Sequence, residues 1–169
     1  MAIAQTEGAV RVHQEGPTVT FQVVGWGRMH QSMPVRRYSD QCLSAGATTL
    51  RVDLRHCTYV DSTFLGTLLL LRRNTLRRPG CQFLLVSPSE ECRRLFKQMG
   101  VEDCLPAVTG AETPAEKWTD LACDESVDTF NRNVVQAHQE LANLGGPTGK
   151  AFRGVARCLT KDLRENDIP

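Results

Sequence analysis

The sequence predicts an α/β fold: a mixed, mostly parallel β-sheet covered by α-helices, followed by a C-terminal α-helical hairpin. Three observations carry this. Between residues 10 and 105, short β-branched runs alternate with amphipathic ones in the order strand, strand, helix, strand, helix, strand, helix. Such an alternation calls for parallel strands joined by right-handed helical crossovers. After Pro106 the periodicity stops, and from Val127 onward apolar residues recur at spacings of three and four, broken once by Gly145-Gly146-Pro147.

The elements follow in chain order. Val10–Gln14 and Thr18–Val24 read as two strands around a Gly16-Pro17 turn. The irregular piece Gly25-Trp26-Gly27-Arg28-Met29-His30 comes next, and a helix is expected from Ser32, with Pro34 in its first turn and Gly46 past its end. Thr49–Leu54 is a short strand, and Cys57–Val60 leads out of it. A helix starting at Ser62 carries Leu65, Leu68, Leu69 and Leu71 nearly all round, which predicts burial of its first half. Its last turns hold Arg72, Arg73, Arg77 and Arg78, a solvated end that complements the helix dipole. Gln82–Val86 is a core strand. Ser87-Pro88-Ser89-Glu90 reads as a capping box for a helix that buries Leu95, Phe96 and Met99 and stops at Gly100.

This division gives a domain over 8–106, a linker over 107–123 and a helical hairpin over 124–166. The first hairpin helix has a narrow seam of Val127, Phe130, Val134, Ala137 or His138, Leu141 and Leu144, with Asp124 and Glu125 near its start. The second runs from Thr148 and carries Phe152, Val155, Ala156, Leu159 and Leu163. The hairpin has three open fates: packing on the domain, forming a homodimer, or binding a partner.

Composition narrows the function. In 169 residues, 20 Lys+Arg balance 19 Asp+Glu, which argues against nucleic acid or an anionic membrane as the main partner. The seven cysteines include no CxxC and no zinc-finger spacing, so free thiols in a reducing, cytoplasmic setting are expected and neither metal nor cofactor is called for. The start, MAIAQTEGAV, has no signal-peptide character, and the longest apolar run, Phe64 to Leu71, is too short for a membrane helix. Gly145–Lys150 fails the P-loop pattern at both ends. No catalytic residue stands out: the four histidines are dispersed, and His56 and Cys57, adjacent on a strand end, point opposite ways.

The informative segment is Val60-Asp61-Ser62-Thr63-Phe64-Leu65-Gly66, where a strand runs into a buried helix. Helix capping by Asp61 or Ser62 accounts for the residue types on pattern alone. The segment also resembles the switch motif of STAS domains, the anti-sigma factor antagonist family, whose usual form is Asp-Ser-(Ser/Thr)-Gly-Leu-Gly. Val52-Asp53-Leu54 is similar to the family's strand before the switch. Phe83-Leu84-Leu85-Val86-Ser87-Pro88 resembles its next strand and helix cap, and Leu95-Phe96 to Leu105 its closing helix.

The resemblance implies a STAS-like fold and a non-enzymatic phosphoserine switch in bacterial signalling. Ser62 would be the phosphoacceptor, with Thr63 as fallback. The partners would be a serine kinase that is also an anti-sigma factor, bound when Ser62 is unphosphorylated, and a PP2C-type phosphatase. Asp61, Ser62, Thr63, Phe64, Trp26 and Arg28 would form the partner surface. Two residues depart from the family pattern: Phe64 replaces its glycine, and Gly25-Trp26-Gly27-Arg28-Met29 replaces an acidic loop. Trp26 and Arg28 are types enriched at binding hot spots. The alternatives are a STAS-type scaffold or ligand sensor without phosphorylation, and a cysteine-dependent enzyme using Cys57 or Cys104.

Overall fold

The computed structural model describes residues 8–123 and 126–166. Asp124 and Glu125, expected near the start of the first hairpin helix, lie outside them. Strands β1 (Ala9–Glu15) and β2 (Thr18–Gly27) form an antiparallel hairpin, and helix α1 (Met29–Ser44) follows. Then come β3 (Thr49–Asp53), β4 (Cys57–Val60), α2 (Ser62–Leu76), β5 (Gln82–Val86) and α3 (Glu90–Gln98). The chain continues through β6 (Ala107–Val108), β7 (Thr119–Asp120), α4 (Val127–Ala142) and α5 (Gly146–Asn166).

The sheet runs β6-β5-β3-β2-β1-β7, with β4 pairing the far end of β2. The ladders β2–β3, β2–β4, β3–β5 and β5–β6 are parallel; β1–β2 and β1–β7 are antiparallel. This is the mixed, mostly parallel sheet that the alternation predicts. β2 is covered on both faces over most of its length, which explains its near-continuous Val-Thr-Phe-Gln-Val-Val run.

Helix α2 is buried without a break from Thr63 to Leu71. It packs against β5 and α1, and α4 lies across it. Neighbours on both sides account for the apolar residues all round this helix. α4 also touches α1 and pairs with α5, so the two C-terminal helices form a hairpin that packs on the domain. Leu141 joins the central core, with Leu144 and Phe152 against it.

Three local expectations need correction. The first helix starts at Met29, not Ser32, because its first backbone donors find partners: Met29 N–H donates to Asp61 Oδ2 at 2.7 Å, and Arg28 N–H to Gln31 Oε1 at 2.8 Å. Pro34 therefore sits in the second turn. The third helix is capped by Ser89, whose Oγ accepts from Cys92 N–H at 3.1 Å. Ser87 has φ +44° and accepts from Gly110 N–H at 3.2 Å, so it stands outside the helix and the capping box does not form.

Residues 107–123 are not a free connection either. β6 and β7 each add two residues to the sheet. Pairs this short rest on main-chain bonds, which leave no side-chain period to read. Among the described residues, no helix is long and apolar enough to cross a membrane.

Candidate functional site

The site is built where β4 ends and α2 begins. Asp61 leaves β4 with its N–H donating to Gly27 O at 3.0 Å, and its carboxylate then serves two helices. Oδ1 accepts from Phe64 N–H at 2.8 Å, capping α2, while Oδ2 accepts from Met29 N–H, capping α1. A carboxylate at two helix N-termini is favoured by both dipoles. Asp61 therefore fixes the relative position of the two helix starts.

Ser62 follows as the first residue of α2 and is half-buried. With Asp61 as the cap, its hydroxyl is not needed by the helix. The hydroxyl lies 3.1 Å from Nε2 of His138, on α4. The other ring nitrogen, Nδ1, lies 2.8 Å from Val134 O, a carbonyl that can only accept, so Nδ1 carries the proton. In the neutral ring Nε2 is then a bare acceptor, and the Ser62 O–H donates to it. His138 is 7% exposed and packs on Phe152 with ring centroids 5.7 Å apart.

Around this pair, α4 is fastened to the helices beneath it. Gly66 lies so close to α4 that a Cβ there would come within 2.1 Å of Ala137 O, which only glycine permits. Arg36 on α1 donates to Asn133 Oδ1 at 3.3 Å and also bonds Gln136. Arg73 on α2 makes an ion pair with Glu140. Burial raises the Glu140 carboxyl above its usual range, against the opposing pull of Arg73, Arg77 and Arg36. Arg73, expected at a solvated helix end, thus meets a carboxylate from the hairpin.

The remaining predicted residues divide. Trp26 and Arg28 come together: the Arg28 guanidinium carbon lies 4.3 Å from the Trp26 ring centroid. Tyr59, 45% exposed, meets Trp26 edge-on at 5.8 Å, which adds a residue that the sequence does not single out. Thr63 and Phe64 face the other way. Phe64 is 1% exposed, with its ring against Gly27 where a Cβ would meet it at 3.0 Å, so it is a core residue and not a surface anchor. Thr63 is 4% exposed, and its hydroxyl is out of reach as a fallback acceptor.

Of the two cysteines weighed for catalysis, Cys57 is fully buried, and the neighbouring Cys92 thiol together with burial pushes its own thiol upward. A buried thiol raised in this way is a poor nucleophile. Cys104 is half-buried against the core. His138 is a second site residue, beside Tyr59, that sequence reading misses. Its one signal is a histidine in the apolar seam between Val134 and Leu141.

Comparison with known proteins places this geometry. The family described as "Mlab, STAS domain" matches residues 10–108. Two solved structures share the fold. The anti-sigma factor antagonist SpoIIAA in its unphosphorylated form is 22% identical, covering 62% of this chain and 90% of that one, with a TM-score of 0.53. The Bacillus cell fate determinant SpoIIAA in the phosphorylated form is 19% identical, covering 62% of this chain and 93% of that one, with a TM-score of 0.50. No curated protein matches the chain.

Proposed function

The chain belongs to the STAS family described as "Mlab, STAS domain", and from that premise we propose that it is a non-enzymatic phosphoserine switch that acts like an anti-sigma factor antagonist. In this reading Ser62 is the acceptor. The unphosphorylated form binds a serine kinase that doubles as an anti-sigma factor, and a PP2C-type phosphatase resets it, in the cytoplasm of a bacterium. Neither nucleic acid nor membrane is a partner. The domain over 8–106 is the switch, 107–123 connects, and 124–166 is an added hairpin that also offers a homodimer contact.

One observation carries the reading. Asp61 caps both α1 and α2, so the adjacent Ser62 hydroxyl can be modified without loss of a helix cap. Phosphate there adds about −1.5 to −2 charges, which the α2 N-terminus tolerates. The same charge beside the Asp61 carboxylate is costly at a close protein interface, through repulsion and desolvation. A partner docked on Asp61, Ser62, Trp26 and Arg28 is therefore ejected while the domain stays folded. SpoIIAA has been solved in both unphosphorylated and phosphorylated forms, which supports the analogy.

The test is peptide mapping by mass spectrometry of the chain recovered from its own cells. Phosphate is expected on Ser62 and is lost in Ser62→Ala. Unmodified Ser62 across growth and stress conditions overturns the switch. That result would leave a STAS scaffold or ligand sensor, a second reading favoured by the bond that holds the Ser62 hydroxyl on His138.

A further inference from the structure

The face formed by α1 and α2 around Ser62 is occupied, and its occupant comes from the same chain. α4 places Ala137 against Gly66, His138 against the Ser62 hydroxyl, Gln136 against Arg36 and Glu140 against Arg73. Each contact answers one feature of the underlying face: a missing side chain, a hydroxyl donor and two cations. We propose that the α1–α2 face is a docking surface with α4 as its resident ligand, and that a kinase or partner reaches Ser62 only by displacing α4. This deepens the switch proposed above and rests on the reading of Ser62 as its acceptor.

The chemistry of the interface suits exchange better than permanent burial. Its apolar grip comes from Ala137, which lies against Gly66, and from Leu141, which joins the domain's core. Between them lie polar groups that a stable core would avoid. Asn133 is 1% exposed, and its Nδ2 is a buried donor without a hydrogen-bond partner among the described residues. The Glu140 side chain is 11% exposed, with desolvation outweighing its arginine neighbours. Such groups weaken packing in the closed state and recover hydration in the open one. The helices beneath do not need α4 for their caps, since Asp61 holds both N-termini from within the domain.

The same contacts describe the displacing partner. It presents a helix with a small residue opposite Gly66 and a carboxylate in reach of Arg73 and Arg36, so that it reproduces what α4 supplies. Arg73 and Arg77 give such an acidic surface more charge to meet than Glu140 alone provides.

The experiment uses the full chain with Ser62→Cys, iodoacetamide as the probe, and peptide mapping to read each thiol separately. The labelling rate at position 62 is compared with and without Glu140→Lys, which sets a like charge beside Arg73. Cys57 and Cys92, both fully buried in the domain, report global unfolding. Position 62 is expected to label at least tenfold faster with Glu140→Lys, while Cys57 and Cys92 label no faster. Equal rates at position 62 in the two backgrounds overturn the proposal, and so does labelling of Cys57 and Cys92 in step with it.

If the variant does not fold, hydrogen exchange of the unsubstituted chain decides. α4 amides should exchange at least tenfold faster than those of β2 and β3, and equal protection makes α4 part of one cooperative unit and overturns the proposal. No kinase or partner enters either measurement. Failure here therefore leaves the Ser62 reading standing, whereas a never-phosphorylated Ser62 removes that reading and leaves the α4 cover intact.

Discussion

The Ser62 hydroxyl donates to Nε2 of His138 at 3.1 Å, across 76 residues of sequence. This bond joins the half-buried first residue of α2 to the helix that covers it. Its strength is measurable by a double-mutant cycle in urea. Ser62→Ala and His138→Ala should each cost about 1 kcal/mol. The pair together should cost less than the sum, by about 0.5 kcal/mol or more, because each single change already breaks the shared bond. Strict additivity contradicts the contact.

Asp61 is expected to matter more to stability than an ordinary cap. Asp61→Ala strands two backbone donors, Phe64 N–H and Met29 N–H, so roughly 2 kcal/mol should be lost against about 1 kcal/mol for a single cap. Asp61→Asn keeps an acceptor for one of them and should lose less. Urea midpoints at constant slope read the difference.

Gly66 is where α2 and α4 approach most closely. Gly66→Ala forces a methyl into the Ala137 carbonyl and should destabilise the chain by about 1–3 kcal/mol, despite the better helix propensity of alanine. Hydrogen exchange should show the loss in α4 before the strands. A stabilised variant would mean that the two helices are not in contact in solution.

Glu140 gives the hairpin a pH dependence. Its carboxyl is raised above the ordinary 4.5 chiefly by burial, so the folded form holds its proton longer than the unfolded chain. The stabilisation from this group is fully present below pH 4.5 and is lost as pH rises through the higher folded value. Exchange protection of α4, followed upward from pH 4.5, should therefore fall more steeply in the unsubstituted chain than in Glu140→Gln. Parallel profiles would contradict the burial of Glu140.

Much of this was legible in the residues. The strand and helix order follows from period and turn chemistry, and the position of Ser62 at a helix start from Asp-Ser-Thr ahead of an apolar run. What the sequence did not disclose is long-range. The second oxygen of Asp61 caps a helix that begins 32 residues earlier and so moves that helix start from Ser32 to Met29. The cap falls on Ser89 and not on Ser87, because Ser87, at φ +44°, is engaged by Gly110 N–H, a partner 23 residues away. Phe64 turns inward because Gly27, on a different strand, leaves space for its ring. His138 reads as one more seam residue until α4 is laid on α2.

If the charge state of Ser62 decides partner binding, affinity reads it without intermediate steps. The unphosphorylated chain, immobilised, is used to recover the proposed serine kinase from its own cells, and that protein is then titrated with the unmodified chain and with Ser62→Asp. Binding should be at least tenfold weaker for Ser62→Asp, about 1.4 kcal/mol, with both chains equally folded. Equal affinity for the two forms would contradict it.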